Sequence, residues 1–250
     1  MSEEPSTRHR IEIEYDGQPF AGWQRQENAP SVQATIEDAA AKFSGGKTHC
    51  YGAGRTDAGV HALCMTAHLD LEKPVASFTV QNAVNALMRP APVAILSATP
   101  VTDDFHARFS AKERHYLYRI IARRAPLALD QGRAWQVPYA LDDRAMADAA
   151  EVFVGLHDFT TFRSAHCQSK SPVKTLTEVS VERSADEIQL RLRAPSFLHN
   201  QVRSIVGTLE RVGAGRWSKG DVQDALEAAD RSRCGPVAPA QGLYFVKAVY

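Results

Sequence analysis

Apolar and polar positions alternate along Ile11-Glu12-Ile13-Glu14-Tyr15 and stop at Asp16-Gly17. That is the pattern of a strand with one wet face running into a turn. Ser31 stands where a helix cap belongs. Val32, Ile36, Ala39, Ala40 and Phe43 follow on one helical face until Gly45-Gly46 closes the run. Residues 48–53 read as a second strand and 61–71 as a third, with a glycine-rich turn between them. A helix over 77–88 is stopped by Pro90-Ala91-Pro92, and a strand covers 93–98. The first half is thus predicted as β, α, β, β, α, β.

The second half follows a similar plan. Residues 114–122 alternate as a strand, and Asp142 caps a helix carrying Ala145, Met146, Ala149, Val152 and Phe153. Residues 173–183 and 187–194 read as a hairpin turning near Ala185-Asp186. A long helical pattern covers 197–212, a shorter helix 219–229, and a closing strand 243–249. Two α+β halves of one plan point to a structural duplication, although no sequence repeat is visible. The stretch 122–138, with Arg133 and Trp135, reads as the connection between them.

The turn between the second and third strands holds the most chemistry. In Gly52-Ala53-Gly54-Arg55-Thr56-Asp57-Ala58-Gly59-Val60-His61-Ala62, three glycines fall within eight positions and surround one carboxylate. A dinucleotide fingerprint needs a glycine where Asp57 sits, and a phosphate loop needs Gly-Lys before Ser or Thr. Neither is present, and a carboxylate facing a pyrophosphate would be repelled. What remains is an acid on an accessible turn, able to act as nucleophile or base. Arg55 would keep it ionised if the two side chains meet. The alternative is an Asx turn in which the aspartate bonds its own backbone.

Gly54-Arg55-Thr56-Asp57-Ala58-Gly59-Val60-His61-Ala62 resembles the catalytic motif of tRNA pseudouridine synthases of the TruA type. Further blocks match in the family's order. Tyr15-Asp16-Gly17 and Gly22-Trp23-Gln24-Arg25-Gln26 precede it, and Asp104-Phe105-His106-Ala107-Arg108-Phe109-Ser110-Ala111 and Tyr116-Leu117-Tyr118 follow. Asp158-Phe159-Thr160-Thr161-Phe162, Val202-Arg203-Ser204-Ile205-Val206-Gly207 and Gly242-Leu243-Tyr244 complete the series. The resemblance runs from about Ile11 to the C-terminus. Two places depart from the family's commonest pattern, His199-Asn200-Gln201 and Arg89-Pro90-Ala91-Pro92.

The resemblance implies an α+β fold of two ferredoxin-like halves sharing a mixed, mostly antiparallel central sheet with a catalytic cleft. An N-terminal half, 1–110, would carry the catalytic aspartate, and a C-terminal half, 111–250, would complete the cleft. It implies an isomerase that turns uridine into pseudouridine at positions 38, 39 and 40 of the tRNA anticodon stem-loop. Asp57 would be catalytic, Arg55 its ion-pair partner, and Tyr116 the tyrosine beside the target base. Arg203 would pair with the acid, Leu243 would pack under the uracil, and His106 and Arg108 would line the RNA cleft. A homodimer with one tRNA crossing both subunits is implied as well. Substrate and product are isomers, so no cofactor is needed.

Composition narrows this further. At 250 residues, 44% hydrophobic and 23% charged, the chain is an ordinary globular one. No apolar run approaches a membrane span, and the first residues lack a signal region, so no membrane and a cytoplasmic location are expected. Cys50, Cys64, Cys167 and Cys234 show no metal-ligand spacing, so four reduced thiols and no metal are expected. Twenty-nine basic residues balance 29 acidic ones, which leaves room only for a local basic groove. Arg108, Lys112, Arg114, Arg119, Arg123 and Arg124 form one basic group. Arg191, Arg193, Arg203, Arg211 and Arg216 form a looser second, and both can track a phosphate backbone. Strand positions that simply face water are the alternative. His61 reads as structural or as a phosphate contact. A hydrolase would need a second carboxyl about 5 to 10 Å from Asp57, and the motif offers none. A non-catalytic RNA-binding module would have no use for Asp57.

Overall fold

Strand β1 (Ser6–Tyr15) puts Ile11, Ile13 and Tyr15 into the core and leaves Arg8, Arg10 and Glu12 on the other face, as its alternation dictates. The structure, a computed structural model, describes residues 6–250. The chain divides into two compact units. The first runs to Lys112 and takes back Tyr244–Tyr250, and the second is Glu113–Leu243.

In the first unit, α1 (Val32–Ser44) begins where the Ser31 side chain accepts the Ala34 N–H, and it buries Val32, Ile36, Ala39 and Ala40. Next come β2 (His49–Gly52), β3 (His61–Val75), α2 (Ser77–Met88) and β4 (Val93–Pro100). Strand β1 lies between β4 and β3, and β2 pairs with the far edge of β3, all antiparallel. This is the ferredoxin-like βαββαβ order. The last strand of the chain, β11 (Leu243–Val249), runs parallel to β3 with Tyr244 opposite His61. Helices α1 and α2 pack on each other.

The second unit repeats part of that plan. It contains β5 (Glu113–Ala122), β6 (Trp135–Val137), α3 (Asp143–Ala150), β7 (Gly155–Asp158), β8 (Val173–Leu176), β9 (Glu178–Ser184), β10 (Glu187–Ala194), α4 (Gln201–Gly213) and α5 (Lys219–Glu227). Strand β10 lies between β5 and β9, antiparallel to both, as β3 lies between β1 and β2. It alternates cleanly, with Ile188, Leu190, Leu192 and Ala194 buried. Strand β6 runs parallel to β5, and β7 and β8 form a separate antiparallel ribbon. Helix α3 packs on α4 and β9. The expected α+β class is what the chain adopts, and each half is a mixed, mostly antiparallel sheet with helices.

Three expectations need correction. The arm expected over 173–183 is two strands: β8 pairs with β7, and only β9 joins the hairpin with β10. The helix expected over 197–212 starts at Gln201. Asn200 takes a left-handed φ of 63°, and the Gln201 side chain accepts the Leu198 N–H at 2.8 Å, which ends the preceding loop. The stretch 122–138 does not connect the two units. It lies within the second and contains β6, a three-residue strand too short to show alternation.

Gly207 tests the packing of α4. Alanine is the better helix former by about 1 kcal/mol, yet a Cβ at Gly207 would stand 1.8 Å from the Pro236 carbonyl oxygen. Gly207→Ala is expected to lower the thermal unfolding midpoint by about 5 °C or more; a midpoint that rises would mean this contact yields freely.

Candidate active site

Asp57 sits on the turn that joins β2 to β3, and the turn is held from below by the segment after β1. Thr56 is 7% exposed, and its Oγ1 lies 2.8 Å from the hydroxyl of Tyr15, itself 3% exposed. The Thr56 carbonyl accepts the Trp23 N–H at 3.0 Å. The Ala53 N–H donates to the Thr66 carbonyl, and the Val60 N–H donates back to the Asp57 carbonyl at 3.2 Å. Gly59 takes a φ of 77° to complete that turn.

Two further glycines permit the approach of the lower segment. A Cβ at Gly22, where φ is 109°, would fall 2.6 Å from the Thr56 carbonyl oxygen, and one at Gly17 would fall 2.0 Å from that of Val60. The Asp57 backbone is therefore pinned on both sides by buried contacts. Its side chain is half-exposed, between buried Thr56 and exposed Ala58, and Arg55 is exposed.

His61 follows at the start of β3. Its ring is buried, its Nδ1 accepts the Gly17 N–H at 3.0 Å, and Asp16 Oδ1 lies 3.2 Å away. Tyr244 stacks on it at 4.7 Å between ring centroids. The side chain thus fastens the Asp16-Gly17 turn to both β3 and β11.

His106 and Arg108 belong to the loop between β4 and β5. The Arg8 guanidinium donates to the carbonyls of Asp103 and Phe105 and forms a two-pronged pair with Asp70. The Ala107 N–H donates to His68 Nδ1 at 3.1 Å, and the Tyr250 hydroxyl donates to the Ala107 carbonyl at 2.8 Å. Burial pushes the His68 pKa down to about 4, which keeps the ring neutral and its Nδ1 open as an acceptor.

The remaining candidates lie in the second unit. Tyr116 is half-buried on β5 with Phe197 edge-on to its ring at 5.0 Å. Tyr118, two residues on and fully buried, donates to the Pro239 carbonyl at 2.7 Å. Arg203 on α4 donates from Nε to the Ala238 carbonyl at 2.7 Å and from Nη1 to Asn200 Oδ1 at 3.1 Å. The departure at His199-Asn200-Gln201 thus supplies one of that guanidinium's anchors. Leu243 is buried at the start of β11.

Several of the arginines in the two basic groups have partners within the fold. Arg119 forms ion pairs with Glu187 at 2.8 Å and Asp130 at 3.0 Å, and its hydrogen bond draws the Glu187 pKa below the usual carboxylate range. Arg193 pairs with Glu178 at 3.0 Å, and Arg114 donates to the Pro195 carbonyl. All four cysteines are free, and no cluster of three metal-ligating side chains occurs among the described residues. Sequence reasoning gave no role to Thr56, Tyr51 or His68. Their contacts arise from strand register and from segments far apart in the chain.

The family model described as tRNA pseudouridine synthase matches residues 11–110 and 149–250. The chain belongs to the tRNA pseudouridine synthase family. It is 59% identical over 243 residues to a protein named tRNA pseudouridine synthase A from Maricaulis maris (strain MCS10), covering 97% of this chain and 98% of the relative. It is also 59% identical over 243 residues to one of the same name from Parvibaculum lavamentivorans, covering 97% and 99%. A third such relative, from Rhodospirillum rubrum, is 53% identical over 240 residues, covering 96% and 86%. Within this synthase family match lie Arg55, Asp57, His61, His106, Arg108, Arg203 and Leu243; Tyr116 falls in the interval between the two matched stretches.

The neutral His68 gives a pH test. The unfolded ring titrates near about 6.5, and the folded one near 4. Between these values the unfolded chain binds more protons, so stability falls as pH falls. The wild-type unfolding midpoint is expected to drop more between pH 7 and pH 5 than that of His68→Gln. Equal drops would show that His68 takes up its proton normally when folded.

Proposed function

We propose that this chain isomerises uridine to pseudouridine in the anticodon stem-loop of tRNA, at positions 38, 39 and 40, with Asp57 as the reacting carboxylate. The observation that carries the proposal is the Asp57 turn itself: a half-exposed acid on a backbone locked by buried contacts, inside the first matched stretch of the family, residues 11–110. A rigid turn suits this chemistry, because a reacting group must meet its target in one geometry.

The reaction breaks the bond between ribose C1′ and uracil N1, turns the base and joins C1′ to C5. The C5 proton leaves and N1 gains one, so atoms balance without a donor or an electron carrier. Asp57 serves as nucleophile or base. Arg55 is its ion-pair partner, and Tyr116 stands beside the base, able to stack on the uracil and help remove the C5 proton. Arg203 and Leu243 bind the target nucleotide, His106 and Arg108 serve the RNA further out, and the buried His61 holds the turn beneath Asp57 instead of touching a phosphate. The N-terminal half supplies Asp57, Arg55, His106 and Arg108, with His61 as support; the C-terminal half supplies Tyr116, Arg203 and Leu243.

Stem uridines have to be flipped out to react, at a cost of roughly a few kcal/mol. The reading includes a cytoplasmic homodimer. No described helix is long and apolar enough to cross a membrane.

Asp57→Asn is expected to abolish pseudouridine formation on unmodified tRNA, mapped by chemical labelling and primer extension. Its tRNA affinity should stay within about tenfold of wild type, since the lost charge is not a phosphate contact. No pseudouridine from folded, tRNA-binding wild type would sink the proposal, and release of free uracil would make the chain a hydrolase. Tyr15→Phe removes only the hydroxyl that holds Thr56. Through displacement of the turn it is expected to lower kcat about tenfold while KM stays within about twofold.

A further inference from the structure

A single aromatic side chain in water means little, but a contiguous run of exposed rings marks a place where something lands. Phe109 is 76% exposed and Tyr51 44% exposed, yet neither stands alone. Tyr51 lies directly across from His68 in the β2–β3 pairing and stacks on it at 4.9 Å. The His106 ring lies 4.7 Å from His68, 5.7 Å from Tyr51 and 4.4 Å from Phe109. The Arg108 guanidinium sits 5.7 Å over the Phe109 ring. The result is a continuous run of rings with a cation at one end.

The frame beneath the run is fixed before any ligand arrives. Arg8, neutral His68 and Tyr250 each hold a backbone group of the loop, and the Ser110 hydroxyl accepts the His106 N–H at 3.0 Å. We propose that Tyr51, His106 and Phe109, with the Arg108 guanidinium, form a stacking platform for an unpaired nucleobase of the RNA substrate. This rests on the tRNA reading and adds to it a second base contact besides the reacting uridine. Tyr51 stands six residues before Asp57 on the strand that feeds the catalytic turn, and the Trp23 ring packs against the intervening Gly52.

The chemistry of the face selects a base over other ligands. Every base has a π-face, and stacking on aromatic and guanidinium planes is tolerant of sequence. Asp103 and Asp104, exposed on the same loop, add negative charge that disfavours an acidic peptide or a bare phosphate. A neutral base is indifferent to them. An aliphatic partner would find rings rather than aliphatic side chains along the run.

Binding of unmodified tRNA, pseudouridine formation and sedimentation, measured together on four proteins, test the platform. Phe109→Ala and Phe109→Leu are each expected to weaken tRNA binding by about fivefold or more, and Phe109→Trp to bind as wild type does. The indole emission that Phe109→Trp adds to the wild-type spectrum should be quenched when tRNA is added, as a stacked base would do. Leucine matching wild type would overturn the platform, because apolar bulk alone would then suffice. Unchanged affinity in the alanine variant would overturn it too, as would an altered sedimentation with unaltered affinity, which would assign the face to protein contact. Those results leave the enzymatic reading standing so long as wild type makes pseudouridine; its failure to do so would strike that reading and not the stacking measurement.

Discussion

The hydrogen bond between the Tyr15 hydroxyl and Thr56 Oγ1 is the contact on which the candidate site depends. It joins the end of β1 to the turn before β3, two segments that lie 41 residues apart. Both partners are buried, so removing the Tyr15 hydroxyl takes from Thr56 Oγ1 a partner that bulk water does not replace, at a cost of about 1–3 kcal/mol. The bond forms only because backbone meets backbone around it, with Gly17 under Val60 and Gly22 under Thr56. The same clamp reaches the chain's last strand. His61 accepts the Gly17 N–H, and Tyr244 stacks on His61. The residue beside Thr56 is thereby left half-exposed on a backbone that folding has already ordered. An ordered turn loses little further entropy when it meets a ligand.

The fold was legible where one face of an element is wet. Strands β1 and β10 announce themselves by alternation, and α1 and α3 by a capping Ser31 and Asp142 ahead of an apolar stripe. The failures share a physical cause. Strands β6 and β7 span three and four residues, too few for a period to show. The start of α4 is hidden because Phe197 and Leu198 are as apolar as a helix needs. What excludes them is the left-handed Asn200 and the Leu198 N–H bond to the Gln201 side chain, which pattern does not record. The parallel docking of β11 on β3 joins residues far apart in sequence, and no local signal could set it.

The candidate site divides in the same way. Asp57 stood out because a carboxylate among small residues has no packing role to play. Thr56, one position away, did not, since its importance lies in a partner on another strand. Tyr51 and His68 became neighbours through the register of β2 on β3, and register is a property of the assembled sheet. The arginines are hard to read for the converse reason. Charge spacing shows how many cations a segment carries and conceals how many are already answered by carboxylates.

That last point bears on how a neutral chain can hold a polyanion. Arg119 is fixed by two carboxylates and Arg193 by one, while Arg203 is oriented by the Ala238 carbonyl and Asn200. A partly exposed ion pair such as Arg193–Glu178 is worth only about 0–1 kcal/mol. A phosphate can displace its carboxylate cheaply, but the released carboxylate then stays nearby and repels. The two-sided Arg119 pair yields less readily. A count of the 29 basic residues therefore overstates the cations that can meet a phosphate without first leaving a carboxylate. The proposed stacking platform would add a contact that salt does not screen, and it would place discrimination on unpaired nucleotides instead of on the backbone common to every RNA.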